Sequence, residues 1–138
     1  GLRNYGKAMI APINNYIRML VRENGWKTCT LFAPGQYYHL MEDIGCEVVQ
    51  IVDYDKFLHI RDYEVKDCIF DDIDVKDDVI VMLHGEKMYP VNRKYPNHDH
   101  VIVLDTMPHN GTCTGPEHFE GEYIEDFGRW LVVDSVIS

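Results

Sequence analysis

Residues 27–52 read KTCTLFAPGQYYHLMEDIGCEVVQIV and contain two apolar runs on either side of a segment with helical spacing. The first run ends at Pro34-Gly35, and the second begins just after Gly45. Glycine and proline in these positions are typical of the ends of strands and helices. A strand, a helix over about 36–44 and a second strand form a βαβ unit, so we predict that the two strands lie parallel.

Further elements are predicted on both sides of this unit. Residues 12–24 place Ile13, Ile17 and Leu20 on one apolar stripe, which is typical of a helix packed on a core. The runs at 78–83 and 100–104 are continuously apolar, as in strands that are covered on both faces. The predicted strands are 27–33, 47–52, 78–83, 100–104 and 129–137, with a weaker strand at 67–70 and a short helix within 117–127.

This order of elements predicts an α/β fold. We expect one three-layer, Rossmann-like domain with a mostly parallel sheet that spans residues 1–138. A chain of 138 residues has the usual size of a single domain with one hydrophobic core.

Composition and charge argue against several classes of protein. The formal net charge is −10, with five basic against four acidic residues in 1–50 and eight against nineteen in 51–138. Phosphate backbones repel such a surface, which argues against nucleic-acid binding. No apolar run is long enough to span a membrane, and the start lacks a secretory signal, so we expect a soluble, cytoplasmic protein.

The four cysteines do not have the spacing of a metal or redox motif. Cys29, Cys46, Cys68 and Cys113 include no pair separated by two residues. We therefore interpret all four as reduced thiols.

The most informative candidate site is the polar turn after the strand at 100–104. That strand delivers Asp105, and the turn that follows contains His109 and Asn110-Gly111-Thr112. A carboxylate at the end of a strand can bind a ribose hydroxyl or a metal, and a Gly-Thr turn can donate backbone N–H groups to a phosphate. The structural alternative is an Asp that caps the next element and an Asn-Gly turn selected for its backbone angles.

Residues 101–112 also resemble the ribose-phosphate loop of type I phosphoribosyltransferases. The resemblance consists of the apolar strand, the acid at Asp105 and Gly111-Thr112. In that family a second acid is usual where this chain has Thr106, and Thr is usual where it has Asn110. The resemblance covers about a dozen residues and implies a ribose-phosphate ligand; we do not assign the chain to the family.

Other candidates follow the remaining strands, because ligands of open parallel sheets bind beyond the carboxyl ends of the strands. His84 and Glu86 follow the strand at 78–83, and they are suitable general acid–base partners for Asp105 and His109. Gly35 and Asp53 follow the first two strands and are candidates for ligand binding, together with Asn110, Gly111 and Thr112. The structural alternative for each is a solvated loop residue, and the sequence identifies no metal or cofactor.

Two functions therefore remain open. The first is a small-molecule-binding domain and candidate enzyme for a phosphorylated or nucleotide-like substrate at the carboxyl edge of the sheet, with the catalytic set His84, Glu86, Asp105 and His109. The alternative is a non-enzymatic, acidic interaction or inhibitor protein that binds a basic protein partner through the half of the chain after residue 50.

Overall fold

The structure is a computed structural model that describes eight stretches of the chain. They are residues 2–32, 40–41, 43–53, 64–67, 73–83, 91–105, 123–128 and 130–136, with the backbone alone for 2–10, 67, 92–93 and 105. The elements within them are α1 (Leu2–Asn24), β1 (Thr28–Phe32), β2 (Glu47–Asp53), β3 (Val65–Asp67), β4 (Val79–Leu83), α2 (Val91–Lys94), β5 (Asp99–Asp105), β6 (Tyr123–Phe127) and β7 (Trp130–Ser135).

Helix α1 confirms the predicted apolar stripe but is longer than the sequence indicated. Ile13, Ile17 and Leu20 are buried, as the helical spacing requires. The helix extends back to Leu2, so Pro12 lies inside it. Gly25 follows the last helical residue with a φ of 66°, the left-handed conformation that commonly ends a helix.

The seven strands form one sheet in the order β3-β2-β1-β4-β5-β7-β6. Strands β1 to β5 pair in parallel, and the predicted parallel pairing of β1 with β2 is confirmed. Strand β7 is antiparallel to both β5 and β6. The segment 123–127, which was predicted within a short helix, is instead the edge strand β6, and it turns into β7 through Gly128.

Both faces of the central strands are buried, as their continuous apolar runs predicted. In β4, Val79, Val81 and Leu83 pack in the same cluster as α1. Ile80 and Met82 point to the opposite face and belong to a second cluster. The described chain covers that second face with Ile73, Val75 and Val91, together with the half-buried Tyr95.

The prediction of a three-layer, Rossmann-like α/β domain is wrong. The sheet is mixed, because β5-β7 and β6-β7 are antiparallel pairs, and in the described part of the chain α1 is the only helix longer than one turn. Within the described residues, the second face is covered by irregular chain at 73–75 and by the single turn α2, where a Rossmann-like fold has a layer of helices. Continuously apolar strands indicate that something covers each face, but they do not indicate what covers it.

A β-bulge in β2 sets which side chains face each cluster. Cys29 pairs with Val48 and Thr30 pairs with Gln50, so Val49 is the extra residue and is 42% exposed. An extra residue reverses the alternation of side chains along the strand. As a result, Val48 and Ile51 both join the cluster of α1, and Gln50 lies on the opposite face beside Thr30.

Candidate functional site

The order of strands defines a topological switch point at one edge of the sheet. The chain moves from β1 outward to β2 and β3, and then β4 returns to the other side of β1. Phe32 and Leu83, the last residues of β1 and β4, therefore lie where the strand order reverses. Open parallel sheets commonly bind ligands at such a switch point.

Acidic residues occupy three strand ends at this same edge. Strand β2 ends at Asp53, β3 at Asp67 and β5 at Asp105. Asp53 is half-buried and is the direct register partner of Asp67. Asp105 is paired with Trp130, the first residue of the antiparallel strand β7. The carboxyl edge consequently carries a concentration of acidic residues on both sides of the switch point.

The spacing of these strands limits what the acids can do together. Asp53 and Asp105 are separated by the three strand spacings β2-β1-β4-β5, or roughly 14 Å between backbones. One metal ion binds its oxygen ligands within about 2.6 Å, so these two residues cannot share an ion.

Most of the predicted site residues lie outside the described residues. This holds for the catalytic candidates His84, Glu86 and His109 and for the binding candidates Gly35, Asn110, Gly111 and Thr112. Their roles stay predictions. The strands that precede His84 and His109 do run parallel as neighbours, with Leu83 paired to Val103, and end at the same edge.

The opposite, amino edge of the sheet is held together by structural hydrogen bonds. The carboxylate of Asp78 accepts the backbone N–H groups of Lys27 at 2.7 Å and Thr28 at 3.2 Å. The indole Nε1 of Trp26 donates to Asp99 Oδ2 at 2.8 Å. These contacts fix the starts of β1, β4 and β5.

A polar ladder crosses the sheet on the face opposite α1, and the sequence did not predict it. The fully buried Thr30 donates its hydroxyl to Asp77 and accepts a 2.8 Å hydrogen bond from Gln50 Nε2. Gln50 Oε1 in turn accepts from Lys66 Nζ at 2.8 Å. The signal available in the sequence was a threonine and a glutamine inside two apolar strands, but their pairing depends on the bulge at Val49.

The acidic run 71–78 has a structural role in its described part. Asp77 binds Thr30, Asp78 caps the start of β1, and Asp74 forms an exposed ion pair with Lys76 at 3.4 Å. Within the described ranges, no group of three or more His, Cys, Asp or Glu side chains could hold a metal ion. This part of the chain also has no helix that is both long and apolar enough to cross a membrane.

His100 is a buried histidine at the start of a strand. It is 3% exposed at the amino end of β5, and its Nε2 has no hydrogen-bond partner. Burial lowers the pKa of this imidazole below its usual 6.5, against a smaller opposing effect of a hydrogen bond to the backbone of Tyr95. His100 is therefore a neutral core residue, at the edge remote from the switch point.

No protein-family model matches this chain, and no curated protein matches it significantly. Its function must therefore be inferred from the sheet and its residues.

Proposed function

We propose that this chain binds a small, hydroxyl-bearing molecule at the carboxyl edge of its parallel strands, over the switch point between β1 and β4. The observation that carries the proposal is the strand order, in which β2 and β3 lie on one side of β1 and β4 and β5 lie on the other. Ligand sites of open sheets lie at this position because the loops diverge there.

The chemistry of the strand ends supports a ligand that donates hydrogen bonds. Asp53 ends the strand next to the switch point, where an acid is suited to accept from neighbouring sugar hydroxyls. Carboxylates repel phosphate groups, so Asp53 and Asp67 favour the hydroxyl end of a ligand on the β2-β3 side. A phosphate group would have to bind elsewhere, and the turn at 110–112 is the predicted place for it.

The described structure gives no support to nucleotide binding. That prediction rested on the strand end at Asp105 and the turn at 110–112, and residues 110–112 lie outside the described residues. The Rossmann-like fold predicted with it is wrong. Whether the domain catalyses a reaction depends on His84, Glu86, Asp105 and His109, whose acid–base roles stay predictions. The cytoplasmic location and the basic protein partner are likewise predictions from the sequence.

A thermal-shift and calorimetric panel tests the proposal with matched pairs of probes. We would compare D-ribose with ribose 5-phosphate and D-glucose with glucose 6-phosphate. We expect at least one of these probes to bind the native chain. We also expect Asp53→Asn to weaken binding about tenfold to a hundredfold, because a hydrogen bond to a charged group contributes about 1.5–3 kcal/mol.

Glu47→Gln is the matched control. Glu47 is exposed at the other end of the same strand, and its substitution removes the same charge from the opposite edge of the sheet. Equal effects of the two substitutions would mean that only net charge matters. No binding of any probe, with both variants folded, would contradict the proposal.

A further inference from the structure

Strand β6 forms one end of the sheet, and in the described part of the chain β7 is its only neighbour. The strand at the end of a sheet has N–H and C=O groups on its outer side that no strand of the same sheet binds. Proteins commonly protect such strands from pairing with another chain by shortness, by a bulge, or by lysine or proline. The two ends of this sheet differ in this protection.

The β3 end of the sheet has three of these protections. Strand β3 is only three residues long, and its central residue is the exposed Lys66. Among the described residues, β3 pairs with Ile51–Asp53 alone, and the earlier part of β2 contains the bulge at Val49. This end of the sheet is therefore poorly suited to accept another strand.

Strand β6 lacks these protections over its five residues. Its sequence, YIEDF at 123–127, contains neither lysine nor proline. Its register with β7 is continuous, so the strand has no bulge. A regular strand of this length can accept a further strand on its outer side, in the way that sheet edges bind extended peptides.

The hairpin of β6 and β7 determines which backbone groups point outward. Phe127 pairs with Trp130 across a two-residue turn, and the closing pair of such a hairpin exchanges hydrogen bonds. Pairs of this kind alternate along an antiparallel ladder, so the backbone of Glu125 also bonds to β7. The N–H and C=O groups of Ile124 and Asp126 therefore point away from β7, to the outer side of the sheet.

The side chains of β6 favour a basic partner over a second copy of this chain. Two copies of β6 would bring Glu125 and Asp126 beside the same carboxylates, and like charges on adjacent strands are destabilising. A basic strand would instead place opposite charges side by side. Tyr123, which is 58% exposed, adds an aromatic surface for the stem of a lysine or the guanidinium of an arginine.

Both carboxylates of β6 are held in place by local hydrogen bonds. The hydroxyl of Tyr123 donates to Glu125 Oε2 at 2.8 Å, and the N–H of Gly128 donates to Asp126 Oδ1 at 2.7 Å. An ionised carboxylate accepts several hydrogen bonds, so each can also bind a cationic side chain. Two oriented acids thus flank the outward-pointing backbone groups.

We propose that β6 binds an extended, basic segment of another protein as an added strand, through main-chain hydrogen bonds to Ile124 and Asp126. The half-buried Ile124 packs at the margin of the second cluster, so the partner residue beside it should be apolar. The partner residues beside Glu125 and Asp126 should be basic. The proposal is independent of the ligand site at the carboxyl edge, since β5 and β7 separate β6 from β4.

The first test uses a labelled peptide of alternating lysine and valine, with binding to the native chain measured by fluorescence anisotropy at low salt. We expect this peptide to bind at least about tenfold more tightly than one with glutamate in place of lysine. A second control keeps every lysine but has N-methyl groups on two adjacent central residues, which blocks main-chain pairing on either side of the peptide.

The N-methylated peptide separates strand addition from general attraction to an acidic protein. We expect N-methylation to weaken binding about tenfold or more, because it removes main-chain hydrogen bonds and leaves the charge unchanged. Equal binding of the methylated and unmethylated lysine peptides would overturn the proposal. So would the absence of binding by the lysine peptide.

Charge reversal tests the location of the site. The double variant Glu125→Lys with Asp126→Lys should lose the lysine peptide and gain affinity for the glutamate peptide. Glu47→Lys with Glu64→Lys is the matched control, because it makes the same change in net charge at exposed positions of β2 and just before β3. An equal loss of binding in the two double variants would overturn the proposal.

Amide hydrogen exchange in the native chain gives a readout that needs no variant. We expect the N–H groups of Ile124 and Asp126 to exchange rapidly in the free chain and slowly with saturating lysine peptide. Slow exchange in the free chain would mean that a second copy or the chain itself already occupies this edge, and it would overturn the proposal. Exchange that stays rapid with saturating peptide would overturn it as well.

Discussion

Single polar side chains inside the apolar strands determine how the sheet is assembled. Thr30 is fully buried, yet both hydrogen-bonding capacities of its hydroxyl are used, by Asp77 and Gln50. Buried polar groups are costly without partners, so each member of this ladder depends on the others. Thr30 therefore links β1, β2 and the turn before β4.

Replacing this hydroxyl should destabilise the fold through its partners. Thr30→Val keeps the shape of the side chain but leaves Gln50 and Asp77 without the shared hydroxyl. We expect a loss of about 1–3 kcal/mol in the free energy of unfolding, measured by urea denaturation. In a double-mutant cycle with Gln50→Leu, the coupling should exceed about 0.5 kcal/mol, and strictly additive effects would contradict the ladder.

His100 should make stability depend on pH. Its folded-state pKa lies below 6.5, so in acid the unfolded chain binds a proton that the folded chain does not bind. The contribution of His100 is fully present above pH 6.5 and is lost as the pH falls toward its lowered pKa. Denaturation curves at a series of pH values should show a smaller loss over this window in His100→Gln than in the native chain; equal losses would contradict the assignment.

At the scale of elements, α1 is attached to the antiparallel end of the sheet by one buried polar contact. The hydroxyl of Tyr16 donates to Asp134 Oδ1 at 2.7 Å, and the Tyr16 ring meets Phe127 edge-on at 5.5 Å. Burial raises the pKa of Asp134, while the hydrogen bond from Tyr16 opposes that rise. The contact is strongest when Asp134 is ionised.

Tyr16→Phe should therefore cost more stability at neutral pH than in acid. Without the hydroxyl donor, the pKa of Asp134 should rise further, and ionisation of this buried carboxyl should oppose folding. We expect a loss of about 1.5–3 kcal/mol at pH 7.5 and a smaller loss near pH 4, by urea denaturation. In an Asp134→Asn background the pH dependence of the loss should disappear, and its persistence there would assign it to another group.

The elements themselves were largely predictable, because their signals are local. The apolar stripe of α1, the parallel pair β1-β2 and the buried runs of β4 and β5 all follow from spacing and hydrophobicity. Strand β6 was not predictable in the same way, because it lacks an apolar run. Tyr123 is exposed, and Glu125 and Asp126 are acidic. Its strand conformation depends on pairing with β7, a tertiary contact that overrides local preference.

At the scale of the whole molecule, the order of the strands could not be read from the sequence. The sequence predicts how many strands lie near the centre of the sheet but not their order. The return of β4 to the far side of β1 depends on packing against both faces. The same is true of the reversal at β5-β7, which makes the sheet mixed. The candidate site was therefore predicted as a set of strand ends, and the structure supplies their arrangement along one edge.

The central proposal is that a ligand binds at the carboxyl edge of the sheet, over β1 and β4. Amide chemical-shift mapping, with the probe that gives the largest thermal shift among ribose, glucose and their phosphates, tests this most directly. We predict the largest changes near the strand ends Phe32, Asp53, Leu83 and Asp105, and little change at the amino-edge residues Trp26, Asp78 and Asp99. Changes concentrated at the amino edge, or spread over the antiparallel strands β6 and β7, would contradict the account.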